Sequence, residues 1–415
     1  MKVRKPWLFV LAIAAALALA PWAHAQVELV IRMPAAPPEN PTLLDELFAM
    51  FEAQHPGIKI THIAGGANIT QLLTQIAGNV APDVATIGPD DAQAVYRQGI
   101  AEDLTPYMVR DNFDTSILPP SVEYMMYNGR WYGVPQAGGA FADRAIYVNR
   151  DMFSVAGLPS PTERWTWDEF RSMAEKLTVD RNGDGVTDQF GFSFEAIDWP
   201  IFVWSNGGDI FDADRTRFTM TDQPAVGALD WLADMVYRGI AKTAPPVNFP
   251  TGNVAMRTGA YFQAENFVRS NLNFDWTIVE FPRGVAGSVN RRTTHPFIIP
   301  ASAKNKEAAW AFLKFWLSDE VQRRLVIEWR WRPPQTAPIA REMATMRLDG
   351  PPYTYVPFMG LTSTSNPLPV DVPKWPEING ILNSAITGIW NGTEPPRIAM
   401  ERIAPQVMQL LAEGR

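Results

Sequence analysis

The sequence contains no cysteine among its 415 residues, and this absence removes several classes of function at once. It excludes disulfide bonds, a cysteine nucleophile and the acceptor residue that a lipid-anchored exported protein needs. Histidine is scarce too: beyond residue 25 only His55, His62 and His295 remain, unclustered and without an HExxH pattern. A chain of this size without disulfides must be stabilised by a large apolar core, which its 47% hydrophobic content can supply.

Long apolar runs are also missing after the N-terminus, so the sequence predicts no membrane-spanning helix. Residues 1–25 have the pattern of a secretory signal peptide: a positively charged start, an apolar run over residues 8–20, and the small-residue cleavage site Ala23-His24-Ala25. We therefore expect an exported protein that begins at Gln26 and is freely soluble in the periplasm.

The charge of the chain is acidic. Its net charge is −8 and becomes −11 without the signal peptide, whose three charged residues are all positive. This balance argues against nucleic acid and anionic membranes as partners, although a merely soluble exported protein explains it equally well. The 390 residues that remain exceed what one core usually serves, so the length predicts two lobes.

Strands and helices alternate in the first part of the chain. The patterns predict strands at 27–32, 58–63 and 83–88, and helices after Asn40-Pro41 and over 69–76. Such alternation is typical of an α/β layer with a parallel sheet. Ligands bind beyond the carboxyl ends of such strands, which makes the loops 33–40 and 88–91 candidate parts of a site.

Later segments give further helix signals. Thr166 and Glu169 form a capping box, and Pro395-Pro396 begins a terminal helix. In the apolar helix predicted over 307–317, Trp310 and Trp316 stand at core spacing, so they are expected to be buried.

Six segments occur in the order of one known family. They are Asp83–Asp90, Tyr132–Pro135, Tyr147–Phe153, the aromatic–Gly-Gly element Trp199–Gly208, the segment Gly252–Tyr261, and Ile299–Trp310. With them the sequence resembles the extracellular solute-binding proteins of ABC transporters, family 1, the maltose-binding-protein-like group. In the Gly252–Tyr261 segment, Tyr261 stands where that family usually has tryptophan.

The resemblance implies a two-lobed periplasmic binding protein of type II, the Venus-flytrap fold, with two discontinuous α/β lobes and a hinge. The lobes are expected at 26–138 plus 284–332 and at 139–283 plus 333–415. It also implies a monomer that binds a sugar or sugar derivative between the lobes and delivers it to an inner-membrane ABC permease. The family does no chemistry on its ligand and requires no cofactor.

Sugars present an apolar face and a rim of hydroxyls, so their sites combine aromatic rings with carboxylates, amides and arginines. Asp90 matches the family's acidic position in the first lobe, with a solvated turn aspartate as the alternative. Glu39 and Asn40, in the loop after the first strand, are further candidates.

Aromatic candidates are chosen from a tryptophan-rich chain. Trp204 precedes Asn206, Gly207 and Gly208, where missing side chains would let a ligand approach the backbone. Tyr261 is a candidate by its family position. Weaker candidates are Trp331, near the last crossing between lobes, and Trp375, at a helix start.

The loop containing Arg291, Arg292 and His295 departs from the family, which often has glycines there. If Arg292 and its neighbours point into the cleft, the ligand is anionic, such as a uronate or a phosphorylated sugar. The alternative is that these are exposed loop charges.

An acidic loop resembles part of an EF-hand. Positions 1, 3, 5, 7 and 9 are Asp180, Asn182, Asp184, Val186 and Asp188. The bidentate acid expected at position 12 is replaced by Gly191. A structural calcium ion would therefore need a carboxylate from elsewhere, such as Glu195, and the alternative is a plain turn.

Two other classes remain open. A secreted glycosidase would need two carboxylates around one bond, for example Asp90 with Glu39 or Glu195, but no motif supports such a pair. A calcium-binding structural module is the third class, although one incomplete loop cannot organise 390 residues.

Overall fold

The computed structural model describes residues 26–38, 40–161, 164–244, 249–261, 263–329, 333–345 and 364–414. The signal-peptide prediction and the candidates Glu39 and Trp331 lie outside these ranges. Within them, no helix combines the length and the apolar character needed to cross a membrane.

The strands have these bounds: β1 Val27–Met33, β2 Ile58–Ala64, β3 Val84–Thr86, β4 Met126–Tyr127, β5 Arg130–Trp131, β6 Gly133–Ala137, β7 Arg144–Asn149, β8 Phe190–Glu195, β9 Ala241–Ala244, β10 Val254–Ala260, β11 Trp276–Val279, β12 Val289–Arg291, β13 His295–Ile298 and β14 Thr364–Asn366.

The helices have these bounds: α1 Leu43–Gln54, α2 Ile69–Ala77, α3 Ala92–Arg97, α4 Thr105–Arg110, α5 Arg150–Val155, α6 Trp167–Lys176, α7 Trp199–Ser205, α8 Gln223–Tyr237, α9 Gln263–Arg269, α10 Lys306–Trp316, α11 Asp319–Glu328, α12 Ala337–Thr345, α13 Trp375–Trp390 and α14 Pro396–Glu413. Short 3-10 turns lie at Thr115–Ile117, Val122–Tyr124, Ala196–Asp198 and Phe249–Thr251.

The first lobe is built on a five-stranded sheet with the order β2-β1-β3-β13-β6. β1 pairs in parallel with β2 and β3, as the strand–helix–strand pattern predicts, whereas β13 returns later in the chain and runs antiparallel to β3 and β6. Apolar residues of β1, α1 and α10 form the core beside this sheet, and they include Leu47, Trp310 and Trp316. The prediction that both tryptophans are core residues is confirmed, since neither exceeds 1% exposure.

The second lobe has its own five-stranded sheet with the order β11-β7-β10-β8-β9. β8 pairs in parallel with β10 and β9, and β7 runs antiparallel to β10 and β11. The capping box predicted for α6 is present: Thr166 Oγ1 accepts from the Glu169 amide at 3.2 Å, and Glu169 Oε2 accepts from the Thr166 amide at 2.7 Å. Helices α13 and α14 contribute to the same core, which encloses Trp204 and Trp375.

Three segments cross between the two sheets. The first joins β6 to β7, the second contains β12 between β11 and β13, and the third contains β14 between α12 and α13. The second and third crossings are tied together, because β12 and β14 pair in parallel. The lobe boundaries predicted at 138/139 and 283/284 fall within the first two crossings and stay a prediction.

The third crossing lies later in the chain than the predicted boundary at 332/333. Ile339 and Met343 of α12 pack on Val326 of the first-lobe helix α11. Arg323 of α11 also forms a bidentate ion pair with Glu342, with both distances 2.7 Å. The chain therefore folds back onto α11 before it crosses, because the apolar face of α12 is buried there.

Candidate functional site

A cleft lies where the first two crossings meet the carboxyl ends of strands from both sheets. Its wider part has a volume of about 470 Å³, within the range of small-ligand sites. A narrower part of about 180 Å³ continues from it and shares Pro89, Ile197, Arg291 and Thr293 with the wider part. Both lobes contribute to this lining, so a ligand here would contact the two sheets at once.

One wall of the cleft contains an ion pair between Asp143 and Arg291. Arg291 Nη2 donates to Asp143 Oδ2 at 2.7 Å, and both side chains are largely buried. The Asp143 amide also donates to the Arg291 carbonyl at 2.7 Å. Backbone and side-chain bonds together hold the first crossing against the second, so the position of this carboxylate in the cleft is fixed.

A second ion-pair network lies at the start of β7 and the end of β8. Arg144 Nη2 donates to Glu195 Oε2, and it also donates to Asp198 Oδ2 at 2.8 Å. Glu195 Oε1 accepts from Arg257 Nη2 at 3.0 Å and from Gln263 Nε2 at 2.7 Å. Asp198 is completely buried, whereas the Glu195 side chain keeps 20% of its exposure and lines the cleft.

These contacts determine the charge of the network. Burial raises the pKa of Glu195, but the nearby Arg144 guanidinium and the donated hydrogen bonds outweigh it, so the pKa lies below its ordinary value. Burial lowers the pKa of Arg144, and the charges of Asp198 and Glu195 overcome this effect and raise it. Both groups are therefore charged at neutral pH.

The apolar part of the lining comes from Trp329, Tyr261 and Ile197. The Trp329 side chain is partly exposed at the wider part of the cleft. Ile197 is 46% exposed and lines both parts, which is unusual for an isoleucine between two lobes. Tyr261 lies at the wall of the cleft but is only 2% exposed, so only a small part of this residue is accessible to a ligand.

The narrow part of the cleft is lined by Asp90, Asn379 and Asn383. Asp90 is exposed in the loop after β3, where the parallel-sheet argument expected a site residue. Asn379 and Asn383 lie four residues apart on α13, and Asn383 Nδ2 donates to Asn379 Oδ1 at 3.2 Å. The three side chains supply a carboxylate and two amides from opposite lobes.

Two of the predicted ligand residues, Asp90 and Tyr261, thus line the cleft. Glu39 and Trp331 lie outside the described residues, and the other six predicted residues are not among the described residues that line the cleft. Trp204 is 3% exposed in the second-lobe core, and its Nε1 donates to Asp209 Oδ1 at 2.9 Å. Its ring is used for packing within the lobe, which corrects the expectation that it faces a ligand.

Asn206 and Gly207 end helix α7. The amides of Gly207 and Gly208 donate to the carbonyls of Trp204 and Val203, both at 2.9 Å, and Gly207 has φ +79°. This is a Schellman termination, which requires glycine for its left-handed conformation. Asn206 Nδ2 donates to the Pro224 carbonyl at 2.8 Å. The glycines are therefore explained by the helix end, and neither predicted residue lines the cleft described above.

Trp375, Asn40 and Arg292 are also missing from the described residues that line the cleft. Trp375 is 1% exposed in the second-lobe core. Asn40 Nδ2 donates to Glu328 Oε2 of α11 at 3.4 Å. Arg292 Nε donates to Glu123 Oε1 at 2.9 Å, and its Nη1 donates to the Ser365 carbonyl.

The acidic loop uses its own backbone as the partner of its carboxylates. Asp180 accepts from the amides of Gly183 and Gly185 at 2.7 and 2.8 Å, and Asp184 accepts from Val186 at 2.8 Å. Asp188 and Asn182 bind loop amides as well. Among the described residues, no group of three or more acidic or histidine side chains is arranged to hold a metal ion.

Position 12 of that loop could not hold an acid. A Cβ on Gly191 would lie 1.8 Å from the Ala174 carbonyl oxygen, so no side chain fits there. The donor set therefore lacks the bidentate carboxylate of an EF-hand. Structural calcium stays a prediction.

Sequence reasoning missed most of the cleft lining. Asp143, Arg144 and Trp329 were not predicted as site residues. Glu195 was considered only as a calcium ligand or as a catalytic carboxylate. The i, i+4 spacing of Asn379 and Asn383 on a predicted helix is a signal that could have identified them.

The comparisons with known proteins agree with this geometry. The model of the family described as bacterial extracellular solute-binding protein matches residues 35–323. A Brucella abortus protein, whose name gives it only a provisional binding role, is 28% identical over 390 residues, covering 88% of this chain and 89% of that protein. An uncharacterized lipoprotein of Streptomyces antibioticus is 27% identical over 327 residues, covering 70% of this chain and 66% of that protein.

Among solved structures, the chain is similar to the ABC substrate-binding protein of Listeria monocytogenes in complex with cycloalternan. The TM-score is 0.77 and the identity 26%, with 93% of this chain and 99% of that chain covered. Two α/β lobes, three crossings and a cleft between the lobes define a two-lobed periplasmic binding protein. The chain belongs to the bacterial extracellular solute-binding proteins, and the family resemblance in the sequence is confirmed.

Proposed function

We propose that this protein is the substrate-binding component of an ABC importer and binds a sugar or sugar derivative in the cleft between its lobes. The single observation that supports this most is the composition of the cleft. Carboxylates held by arginines, two helix amides and a partly exposed tryptophan surround one cavity. Such a lining matches a ligand with many hydroxyls and an apolar face.

Within this proposal, Asp90 and Tyr261 keep the ligand roles that the sequence assigned to them. Asp143, Glu195 and Trp329 join them. The carboxylates accept bonds from ligand hydroxyls, and the Trp329 ring contacts an apolar ligand face. The complex of the similar Listeria protein with cycloalternan supports a carbohydrate as the ligand class.

The two-lobed architecture supports delivery of the ligand to a membrane permease. A ligand that contacts Asp90 in one lobe and Glu195 in the other stabilises the closed arrangement of the lobes, which a permease can distinguish from the open one. We propose an inner-membrane ABC permease as the partner and a monomer as the working form.

Binding without turnover is part of the proposal. A glycosidase needs a general acid, whose pKa must be raised, and the pKa of Glu195 is lowered. Glu195 also already accepts three hydrogen bonds from Arg144, Arg257 and Gln263. These observations argue against the pairing of Asp90 with Glu195 as two catalytic carboxylates.

The protein is proposed to be exported through its signal peptide and to remain freely soluble in the periplasm. The Streptomyces relative is called a lipoprotein. Under this proposal the two proteins differ in whether a lipid anchors them to the membrane. Fractionation of cells that express the full chain would distinguish the soluble periplasmic fraction from the membrane fraction.

The function is tested by a thermal-shift screen of the purified protein against neutral, uronic and phosphorylated sugars. A bound sugar raises the unfolding temperature by mass action and is expected to quench tryptophan fluorescence. Oligosaccharides that give a shift are then incubated with the protein and assayed for new reducing ends, of which none are expected. The absence of a shift with every carbohydrate, or release of reducing sugar, would overturn the proposal.

A further inference from the structure

Among the described residues, Glu195 is the cleft carboxylate that accepts the most side-chain hydrogen bonds, three in all. Its Oε1 accepts from both Arg257 and Gln263, which uses both acceptor positions of that oxygen. Among the described residues, its Oε2 accepts only from Arg144. One acceptor position on Oε2 therefore remains, on a side chain that lines the cleft and is 20% exposed.

We propose, on the basis of the sugar-binding function above, that Glu195 is the specificity-determining acceptor of the cleft and that Arg257 is the residue that positions it. The remaining position on Oε2 accepts a hydrogen bond from a ligand hydroxyl. A carboxylate or phosphate of a ligand has no proton to donate there at neutral pH and is repelled by the charge. The site therefore selects neutral sugars over uronates and phosphorylated sugars.

The two arginines among the described residues that line the cleft support the same selection. Arg291 is paired with Asp143, and Arg144 is paired with Glu195 and Asp198, so the protein itself neutralises both guanidinium groups. An anionic ligand would have to displace one of these carboxylates and leave it unpaired in a largely buried position. A buried carboxylate without a partner is strongly destabilising, which opposes the binding of an anionic ligand.

Arg257 acts through Glu195 rather than on a ligand. It lies on β10, is 9% exposed, and is absent from the described residues that line the cleft. Its guanidinium lies over the Phe267 ring at 5.9 Å, which restricts its orientation, and its Nη2 is 3.0 Å from Glu195 Oε1. Removing it would let the carboxylate rotate and would raise the pKa of Glu195.

The charged groups that face Glu195 determine how its pKa responds. Arg144 from β7 and Arg257 from β10 lower the pKa. Asp198, on the adjoining 3-10 turn, contacts the same Arg144, and Asp143 lies on the same cleft wall. His295, from the other lobe, also lines the cleft, and it is the same residue in the wild type and in every Arg257 variant.

The test compares the full-length protein with Arg257→Met, Arg257→Lys and Glu195→Gln. The first readout is a carbon-13 NMR titration of proteins labelled at the glutamate side-chain carboxyl, with Glu195→Gln identifying the signal. We expect the pKa of Glu195 to rise in Arg257→Met and to stay near the wild-type value in Arg257→Lys. An unchanged titration in Arg257→Met would overturn the positioning role, and unfolding curves establish that each variant is folded.

The second readout is binding to a printed array of neutral and uronic-acid oligosaccharides at pH 7 and pH 5. We expect the wild type to bind neutral glycans and Arg257→Met to bind the same glycans about tenfold more weakly. The weakening should increase at pH 5, because a raised pKa protonates Glu195 at higher pH, and Arg257→Lys should reverse most of it.

The outcomes separate this inference from the proposed function. A wild-type protein that prefers uronates, or an Arg257→Met protein with unchanged array binding, would overturn the specificity role while sugar binding stands. A wild-type protein that binds no glycan would overturn the proposed function. The NMR titration would then still decide whether Arg257 positions Glu195.

Discussion

Arg291 and Arg292 are neighbours in the chain but face opposite sides of the second crossing. Arg291 reaches Asp143 at 2.7 Å on the cleft wall, and Arg292 reaches Glu123 at 2.9 Å in the first lobe. Successive side chains of an extended segment alternate in direction, and β12 ends at Arg291. The sequence singled out Arg292 for the ligand, and the alternation puts Arg291 there instead.

This alternation predicts different effects for the two arginines. Arg292→Ala leaves the largely buried Glu123 without its ion-pair partner, so we expect the free energy of unfolding to fall by about 2 kcal/mol. Ligand affinity should change little. Arg291→Ala leaves the equally buried Asp143 unpaired, so we expect a similar loss of stability, and it should also weaken ligand binding because both groups line the cleft. Urea unfolding and ligand titration of both variants provide the measurement, and equal effects on ligand affinity would contradict the assignment.

Asp90→Ala tests the acidic residue that both the sequence and the cleft geometry favour. The carboxylate is exposed at the narrow part of the cleft, so its loss should abolish the ligand-induced thermal shift and leave the unliganded unfolding temperature unchanged. Asp45→Ala, an exposed aspartate on α1, is the matched control. A normal shift in Asp90→Ala would remove this residue from the site.

Two tryptophans should behave in opposite ways. Trp204→Ala removes a ring that is 3% exposed in the core and should destabilise the protein by about 3 kcal/mol without weakening binding to the folded state. Trp329→Ala removes a partly exposed ring from the cleft and should weaken ligand binding more than it lowers stability. Isothermal titration at a temperature where both variants are folded distinguishes the two. Loss of binding in Trp204→Ala alone would contradict the structure.

The acidic loop predicts a pH dependence. The amide of Gly185 donates to Asp180, and this bond with those of Gly183 and neighbouring amides lowers the pKa of the carboxyl. A lowered pKa contributes stability above the ordinary aspartate pKa, and that stability is lost as the pH falls through the lowered value. Asp180→Asn should therefore unfold at a lower temperature than the wild type at pH 7, with the difference disappearing in acid.

Repeating these unfolding curves with calcium or with EDTA tests the remaining prediction for this loop. A calcium-dependent rise in the unfolding temperature that is lost in Asp180→Asn would support a bound ion. Identical curves in calcium and EDTA would leave the loop as a turn stabilised by its own backbone amides.

Much of the local structure was predictable because it depends on residues near one another in the chain. The capping box at Thr166, the apolar face of α1 and the core spacing of Trp310 and Trp316 are all set by helical periodicity. The order of six motifs was enough to identify the family. Asp90 could also be predicted as a site residue from the sequence, because ligands bind beyond the carboxyl ends of parallel strands.

The rest of the site depends on which side chains the crossings bring together. Trp204 and Glu195 lie nine residues apart, and nothing in their local sequence says that the tryptophan turns into the core and the carboxylate into the cleft. The pairs Asp143–Arg291 and Glu195–Arg257 join residues 148 and 62 positions apart. The sequence thus determined the two α/β lobes and the family through short-range patterns, and only tertiary packing decided which polar groups meet in the cleft.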